Sequence, residues 1–512
     1  MSDEETGPVV RYKPTYAPRL WNEDLGPLLI RSWTAYSIFA FWMTDVHSVG
    51  GYTTSGSLFM MGISCWQVLF AHMVGILIVM LLCNLVSKPS VETGTPFPVV
   101  ARMAFGVYGA NIPAVIRGIQ SIPYYGINTW MASNSLVVPI LKLFPNLKPY
   151  ADVSQHGFLD LSLIGWISFA FTWLVQALLF FRGIDSIRNF IDLAGPAVYV
   201  TMILLAAYLI YQAGEISFSI DPQYVEEKKE GAASILATIS GIATITSFFA
   251  GPMLNFGDFA RYVTTHKAVK KGNAWGCPVN FLFFALLVVL TTAATPKVFG
   301  ELVDDPVKIV DKLDSKAAAI LGALTFCIAT MGINIVANFL SPCFDFSNCA
   351  PEYISMNGGG AIAAVGSVLC VPWKLYNNPG VIHSTLGTLG SFIGPLMGIQ
   401  LAEYYVVRKQ SVELDDLFRI GPEGKYWYHE GFNIVAILTL IPSTAFPLCC
   451  VFVPQLHALQ DYAYFIGLGL GFVIYSFLSQ PEPGSNAVKV GGESSDEGSE
   501  EDLLEKEGGA IE

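Results

Sequence analysis

Charged side chains are scarce in this chain of 512 residues. Only 13% of its residues are Asp, Glu, Lys or Arg, whereas 53% are hydrophobic, and the mean hydropathy is +0.50. A soluble domain carries about 25% charged residues, so a water-soluble fold of this composition would expose too much apolar surface. The scarcity of charge therefore argues against an ordinary soluble domain and indicates a protein whose solvent is the lipid bilayer.

Several patterns that carry chemistry are also missing. The nine cysteines form no CxxC pair, and most lie in apolar runs, where cysteine behaves as a small hydrophobic residue. The seven histidines are scattered, and neither HExxH nor GxSxG occurs. The glycine run at 467–471 lies in an apolar stretch with no strand before it, which argues against a dinucleotide loop. We therefore predict that the protein is not an enzyme and has no metal, cofactor or nucleic-acid site.

Long apolar stretches are what the sequence does contain. An apolar helix of about 20 residues crosses about 30 Å of hydrocarbon at 1.5 Å per residue. We interpret twelve such stretches, of which the ninth is short, as the spans of an all-α integral membrane protein. Spans 1 to 12 are predicted at 32–52, 58–86, 112–140, 161–181, 190–212, 233–258, 278–296, 318–341, 360–373, 383–406, 432–453 and 461–479.

Basic residues are distributed unevenly between the loops. With the N-terminus inside, eighteen Lys and Arg residues lie on the cytoplasmic side and nine lysines on the outer side, as the positive-inside rule expects. We predict a multi-pass protein of the plasma membrane with both termini in the cytoplasm. The predicted divisions are a polar N-terminal segment, 1–30, without a cleavable signal peptide, a domain of twelve spans, 31–480, and an acidic disordered tail, 481–512.

Two spans are interrupted at matching positions. Residues 41–52 of span 1 read FWMTDVHSVGGY, and the pair Gly50-Gly51 costs roughly 2 kcal/mol relative to Ala-Ala inside a helix. In span 6, Gly251-Pro252 removes a backbone donor and obstructs the preceding turn. Lipid cannot satisfy freed backbone groups, so such breaks line a cavity or are buried in protein. These breaks indicate a transporter of two inverted repeats, 31–213 and 233–407, with two further helices, 432–479; ordinary helix kinks are the alternative.

Six segments in chain order carry a resemblance to a known family. They are WNEDLGPLLIRSW (21–33), PFPVVARMAFGVYGANIPAVIRG (96–118), YYGINTW (124–130), NFGDFARY (255–262), NIVANFLSP (334–342) and GPLMGIQLAEYYVVRKQ (394–410). On these segments the chain resembles the nucleobase–cation symporter-1 family of purine, pyrimidine, allantoin and hydantoin permeases, most closely the uracil and allantoin branch. The resemblance implies a LeuT-type fold and import of a neutral nucleobase or ureide together with a cation.

The resemblance also implies substrate residues. Two aromatic side chains that enclose the ring fall on Tyr124 and Phe249, and two carboxamides fall on Asn128 and Asn338. The contact from span 1 falls on Ser48, Gly50 or Gly51. A flat ring edged with N–H and C=O groups suits aromatic faces and carboxamides, which offer a donor and an acceptor. Packing and hydrogen bonds between helices are the alternative roles, and Tyr125 is the neighbour most easily confused with Tyr124.

The expected coupling cation follows from span 8. In family members with a sodium site, two hydroxyl side chains of this span help to coordinate the ion. The resemblance places these positions at Gly332 and Ile333, neither of which has a side-chain oxygen. We therefore favour H⁺ over Na⁺ as the coupling ion.

A proton requires a titratable group near the transport pathway, and acids or histidines within the membrane are the default candidates. The candidates are Asp45 and His47, which would have to converge at the break of span 1, and Asp258 in span 6. Asp45 has the alternative role of capping free backbone N–H groups. Asp258 has the alternative role of a local ion pair or cytoplasmic gate with Arg261. Glu403, near the cytoplasmic end of span 10, is expected to be solvated.

Other functions stay open on the sequence. An amino-acid permease of the same fold would need charge complementarity for a zwitterion, and a channel would not accumulate its solute. Sodium-coupled transport of a hydantoin, cytosine or thiamine is a further alternative. The partners expected in every case are a small-molecule substrate, a cation and membrane lipid.

Overall fold

The computed structural model describes residues 10–219, 229–375 and 379–479. The acidic tail predicted at 481–512 and the first nine residues of the N-terminal segment lie outside the described residues. Almost all regular structure within them is helical, apart from a hairpin in which strand β1 (Gly157–Phe158) pairs with strand β2 (Leu161–Ser162). Each of the twelve predicted stretches contains a helix, so the all-α prediction is confirmed.

The first five spans run from Ala35 to Ala213. Their helices are Ala35–Val46 and Val49–Ser57 for span 1, Cys65–Thr93 for span 2, Asn111–Leu143 for span 3, Leu163–Phe181 for span 4 and Ile184–Ala213 for span 5. Short helices at Phe97–Val100 and Arg102–Phe105 connect spans 2 and 3. The predicted start of span 2 at residue 58 is wrong, because Val49–Ser57 still belongs to span 1 and Ser64 caps the next helix.

The next five spans contain more irregular helices. They comprise Gly231–Phe248 and Ala250–Leu254 for span 6; His266–Ala274, Trp275–Val279 and Asn280–Phe299 for span 7; Lys316–Ile333, Asn334–Leu340 and Ser341–Cys349 for span 8; Met356–Leu369 for span 9; and Pro379–Leu401 and Ala402–Val407 for span 10. The middle segments of spans 7 and 8 and the last of span 10 are π-helical. Spans 11 and 12 are Ile434–Phe452 and Ala463–Leu478.

Eight helical stretches among the described residues are individually long and apolar enough to cross a membrane. The remaining spans are broken, short or more polar, so the number of twelve crossings stays a prediction, as do the divisions at 31–213, 233–407 and 432–479. Helix contacts are extensive between span 10 and span 12, span 3 and span 8, span 2 and span 6, and span 5 and span 7, and span 11 packs on spans 10 and 12.

Span 4 shows that the fold is built for lipid. Its exposed face carries large apolar side chains, whereas the polar side chains at i, i+4 and i+8 on the opposite face are fully buried; these are Ser168, Thr172 and Gln176. The exposed apolar residues are Ile167, Phe171, Leu174 and Leu178. In water this arrangement would be unfavourable, but in a bilayer it places hydrogen-bonding groups against other helices.

Candidate functional site

Span 1 is interrupted at His47 and Ser48. The first helix ends at Val46, and Ser48 adopts an extended conformation with ψ of 161°. The Ser48 hydroxyl caps the second helix by accepting a hydrogen bond of 3.0 Å from the Gly51 N–H. The freed N–H of Val49 donates to Thr330 Oγ1 of span 8 at 3.1 Å. The prediction of a break at Gly50-Gly51 is therefore wrong. The break lies just before these residues, because Ser48 caps a helix that already contains both glycines.

The two glycines permit close approach instead of breaking the helix. A Cβ atom on Gly51 would lie 2.4 Å from the Val46 carbonyl oxygen, which no side chain tolerates. A Cβ atom on Gly50 would lie 3.5 Å from Asn128 Oδ1, an ordinary contact. Gly51 is thus needed for the backbone, whereas Gly50 borders the space beside Asn128.

Span 6 is interrupted at Phe249, where φ is −90° and ψ is 7°. Gly251 and Pro252, at which the break was predicted, lie in the short helix Ala250–Leu254 that follows. The displacement has a physical cause, because a proline lacks an N–H and its ring obstructs the turn before it. The interruption therefore falls one turn ahead of Pro252.

A small cavity of about 40 Å³ lies between the two interrupted spans and spans 3 and 8. Its lining comprises Asp45, Ser48, Arg117, Tyr124, Asn128, Phe248, Phe249, Gly251, Pro252, Ile333, Ala337 and Asn338. Most of the residues predicted from the sequence as substrate contacts are thus brought together around one space. Residues outside this lining are Gly50, Gly51, His47, Asp258 and Arg261.

Aromatic rings line the cavity from spans 3 and 6. Phe249 is buried and contacts Trp42 and Phe248 edge to face, with centroid distances of 5.8 and 5.0 Å. Tyr124 lines the cavity, whereas Tyr125 lies outside its lining and is stacked on Phe339 at 4.7 Å. Of the two tyrosines, Tyr124 is therefore the one that lies beside the cavity.

Each of the two predicted carboxamides donates one N–H hydrogen bond to another group of the protein. Asn128 Nδ2 donates to the Tyr124 carbonyl at 3.0 Å, and Asn338 Nδ2 donates to Asn334 Oδ1 at 3.1 Å. Within the described residues neither Oδ1 atom accepts a hydrogen bond. Both side chains therefore retain an acceptor beside the cavity.

Asn334 is a functional candidate that the sequence prediction missed. Its Nδ2 group lies within hydrogen-bond distance of the Tyr125 carbonyl (2.9 Å), Thr129 Oγ1 (3.0 Å) and Gln176 Oε1 (2.8 Å). Asn334 also accepts the hydrogen bond from Asn338, so it positions Asn338 and links span 8 to spans 3 and 4. The π-helical segment that carries both asparagines is a feature that often marks functional sites. The available signals were the i, i+4 spacing in NIVAN and a glutamine within the apolar span 4.

Asp45 is a buried acid without a hydrogen-bond partner on Oδ2 among the described residues. It lines the cavity, and the cap of the following half-helix is provided by Ser48. The alternative that Asp45 caps the break is therefore wrong. An unpaired buried carboxyl group beside a cavity is expensive unless it is protonated or has a ligand.

His47 does not converge with Asp45. Its Nδ1 atom lies 2.6 Å from the Met43 carbonyl oxygen, and its ring packs against Tyr199 and Phe284 at 4.0 and 5.0 Å between centroids. These neighbours belong to spans 5 and 7 and lie outside the cavity lining. The predicted convergence of Asp45 and His47 at the break is wrong. His47 is the C-cap residue of the first half-helix, and its ring lies against spans 5 and 7.

Asp258 and Arg261 have separate partners. Asp258 accepts hydrogen bonds from the Phe97 N–H at 2.7 Å and from Asn255 Nδ2 at 2.9 Å. Arg261 donates to the carbonyl oxygens of Asp24 and Gly26 at 2.9 and 3.0 Å. The predicted local ion pair is therefore not formed, and Arg261 instead fastens the N-terminal segment to the end of span 6.

A second acid lies near Asp258. Asn255 Nδ2 also reaches Asp345 Oδ2 at 3.3 Å, and Asp345 is fully buried. The predicted span 8 ended at residue 341, so Asp345 lay outside the predicted span. The helix in fact continues to Cys349 and contains Asp345. Arg117, whose position falls within the predicted span 3, was the other overlooked signal.

Glu403 is buried, contrary to the expectation that it is solvated. Its Oε1 atom accepts from Arg408 Nε at 2.7 Å, and its Oε2 atom accepts from the Tyr475 hydroxyl at 2.8 Å. The loop after span 10 and span 12 cover this end of the helix, so the side chain is paired instead of hydrated.

The two positions that carry hydroxyl groups in sodium-coupled relatives are apolar here. Ile333 lines the cavity, and Gly332 packs so closely that a Cβ atom would lie 3.1 Å from the Thr44 methyl group. The nearby hydroxyl of Thr330 is occupied by the Val49 N–H.

Comparison with known proteins agrees with this architecture. A family model described as a permease for cytosine/purines, uracil, thiamine and allantoin matches residues 29–467, which include both interrupted spans and the whole cavity. The chain belongs to this family. It is thus a permease of the nucleobase–cation symporter-1 type, as the sequence motifs predicted, and not an enzyme.

Curated relatives of the permease match over most of their length. The allantoin permease of Bacillus subtilis is 33% identical over 91% of this chain and 94% of its own. The purine-uracil permease of Arabidopsis thaliana is 26% identical over 90% of this chain and 75% of its own. These identities support a permease of the allantoin, uracil or hydantoin type.

A solved structure shares the fold. The nucleobase–cation symporter-1 family transporter Mhp1, in a closed conformation with bromovinylhydantoin bound, aligns with a TM-score of 0.69 and 23% identity, covering 91% of this chain and 94% of Mhp1. The predicted LeuT-type fold with interrupted spans 1 and 6 is therefore confirmed for this permease, which is a multi-pass integral membrane protein.

Proposed function

We propose that this permease is a secondary active symporter that imports a neutral nucleobase or ureide, uracil or allantoin, by alternating access. The coupling ion is a proton, and both termini face the cytoplasm of a cell whose plasma membrane holds the protein. The observation that carries the proposal is the cavity between the two interrupted spans, where aromatic rings, carboxamide oxygens and an unpaired acid meet.

The cavity matches the chemistry of such a ring. Tyr124 and Phe249 offer aromatic faces to the flat ring, and the free Oδ1 atoms of Asn128 and Asn338 suit its N–H groups. Ser48 limits the space from span 1, and Gly50 lies next to Asn128. A buried polar edge without a partner costs about 1–3 kcal/mol, so a ring with the wrong edge binds more weakly.

Asp45 is the proposed proton carrier. It lines the cavity, has no partner on Oδ2 among the described residues, and lies in the last turn before the break of span 1. One charge moved inward gains about 2.3 kcal/mol per 100 mV, which concentrates a neutral solute. The apolar positions Gly332 and Ile333 support a proton over sodium, and Asp258 with Asp345 forms a second acidic group on the inner route.

Contacts on the predicted cytoplasmic side support a closed inner gate. Arg261 ties span 6 to the carbonyl groups of Asp24 and Gly26, and Asn22 Nδ2 donates to Ser347 Oγ at the end of span 8 at 2.8 Å. These hydrogen bonds must open before a solute leaves inward. Gly251 and Pro252, beside the break, complete the inner wall of the cavity.

Replacing Asn338 with alanine tests the substrate site. The variant Asn338→Ala removes the acceptor that faces the ring, so we expect uptake of labelled uracil or allantoin to fall at least tenfold while the protein folds and reaches the membrane; one hydrogen bond of about 1–3 kcal/mol accounts for this loss. The matched control is Thr325→Ala in the same span, whose hydroxyl donates to the Leu321 carbonyl of its own helix. If Asn338→Ala took up the substrate at the same rate and with the same affinity as wild type, this site assignment would be wrong.

A further inference from the structure

Arg117 lies on the cavity-facing stripe of span 3. Residues 117, 121, 124 and 128 recur at i, i+4, i+7 and i+11, which is one face of a helix. Arg117 is only 1% exposed, and its guanidinium lies against Gly251 of span 6, where a Cβ atom would come within 3.2 Å of Nη2. A cation therefore forms part of the wall of a cavity otherwise lined by aromatic rings, amides and an acid.

The guanidinium is only partly satisfied. It donates to Ser121 Oγ through Nη1 and to the Ala337 carbonyl oxygen through Nη2 at 3.3 Å, which is a long hydrogen bond. The Nε atom is buried and has no partner among the described residues. Arginine carries five N–H donors and no acceptor, and an unpaired buried donor is unfavourable. The site therefore favours a ligand that brings an acceptor.

The two asparagines of the cavity each supply a free acceptor. One N–H of Asn128 bonds the Tyr124 carbonyl and one N–H of Asn338 bonds Asn334 Oδ1, which leaves each Oδ1 atom, and one further N–H, available to a ligand. The cavity thus offers acceptors from two amides and a donor cation from Arg117. This arrangement is complementary to a ring in which carbonyl groups flank an N–H group.

We propose that Arg117 forms a carbonyl subsite that restricts the substrate to rings containing an imide, the C(=O)–NH–C(=O) unit. The inference rests on the proposed function and narrows it to uracil, hydantoin and allantoin. A ring carbonyl accepts from the guanidinium, and the imide N–H donates to an asparagine oxygen. Cytosine and adenine carry an amidine and would direct an amino group at the cation, while the positive charge of thiamine would be repelled.

A purely structural role for Arg117 makes a different prediction. Arg117 interacts electrostatically with the carboxyl groups of Asp258 and Asp345, so a role in stabilising these two acids is the alternative. Loss of this interaction alone would lower the free energy of unfolding and weaken the binding of all ligands equally. A carbonyl subsite instead changes the ratio between ligands that differ by one carbonyl group, and this ratio is the quantity to measure.

The experiment is displacement of labelled uracil from the purified full-length protein by uracil, 2-pyrimidinone, 4-pyrimidinone and cytosine. Wild type is compared with Arg117→Gln and Arg117→Lys. Arg102→Gln is the matched control, because Arg102 is also a fully buried arginine but bonds the Leu417 carbonyl and Asn348 outside the cavity. Labelled allantoin and hydantoin are tested for direct binding to wild type.

We expect wild type and Arg102→Gln to prefer uracil over at least one pyrimidinone, and over cytosine, by about tenfold or more. In Arg117→Gln this preference should shrink to about threefold or less, with Arg117→Lys in between because it keeps the charge but not the fork of donors. A folded Arg117→Gln protein with unchanged preference would overturn the subsite.

A second variant covers the case in which Arg117→Gln does not fold. Gly251→Ala displaces the guanidinium without removing it, since the new methyl group would contact Nη2. The same loss of preference then supports the subsite, and an unchanged preference overturns it. Failure of wild type to bind uracil, allantoin and hydantoin would overturn the proposed function itself, a result distinct from a wild type that binds uracil without discriminating between rings.

Discussion

At the scale of single residues, the adjacent glycines of span 1 have different roles. Gly51 lies so close to the Val46 carbonyl oxygen that any side chain collides with backbone, whereas Gly50 has room for a methyl group beside Asn128. Gly51 is therefore required by the fold, whereas Gly50 leaves space beside Asn128.

Alanine variants separate these two roles. Gly51→Ala should lower the free energy of unfolding by roughly 1–3 kcal/mol, the usual cost of forcing a methyl group into packed structure, and thermal unfolding in detergent measures this. Gly50→Ala should unfold within about 1 kcal/mol of wild type but bind uracil more weakly, because its methyl group narrows the space beside Asn128. Equal stability of the two variants would contradict the assigned roles.

Single residues also show what the sequence could and could not predict. Tyr124, Asn128, Phe249 and Asn338 were predicted by motif position, and all four line one cavity; their roles as substrate contacts stay predictions. Asp345 was not found, because hydropathy falls before the helix ends and a buried acid then reads as a loop residue. Burial, which decides such cases, depends on neighbours from distant parts of the chain.

At the scale of elements, the interrupted helices show where propensity is informative. Gly50-Gly51 and Gly251-Pro252 predicted the correct spans, but the breaks lie at 47–48 and at Phe249. A proline acts on the turn before it, and a serine cap defines the start of the second half-helix in span 1. Composition thus indicates that a helix breaks, whereas capping contacts decide the residue at which it does so.

The break of span 1 depends on one contact with span 8. Thr330→Val removes the acceptor of the Val49 N–H while keeping the shape of the side chain, so a buried donor is left unpaired. We expect a loss of about 1–3 kcal/mol in the free energy of unfolding and slower uptake. Thr325→Val, on the same span, is the control and should change stability by less than about 0.5 kcal/mol. Equal stability of both variants would show that the contact does not hold the break.

At the scale of the whole molecule, a buried polar cluster joins the last spans to the rest. Glu403 pairs with Arg408, just after span 10, and with Tyr475 in span 12. Tyr428 accepts from Arg408 at 2.7 Å and donates to the Met103 carbonyl between spans 2 and 3 at 2.5 Å. The sequence placed Glu403 at a helix end but could not indicate that a later loop and span 12 cover it.

Breaking this buried pair should be costly. Arg408→Met leaves the buried Glu403 carboxylate without its cation, which costs about 3–5 kcal/mol. Glu403→Gln removes the carboxylate instead, and the double variant should lose less than the sum of the two single losses. Thermal unfolding of the two single variants and the double variant measures the coupling. The control is Glu215→Gln in the exposed pair with Lys297, where about 0–1 kcal/mol is expected. Additive losses in the double variant would contradict a coupled pair.

The central claim is that a proton gradient drives a neutral ring through this cavity with Asp45 as the carrier. The most direct measurement is uptake of labelled uracil and allantoin into proteoliposomes under an inward proton gradient alone or an inward sodium gradient alone, for wild type and Asp45→Asn. The account predicts accumulation by wild type with protons only, and binding without accumulation by Asp45→Asn. Accumulation driven by sodium alone, or proton-driven accumulation by Asp45→Asn equal to that of wild type, would contradict it.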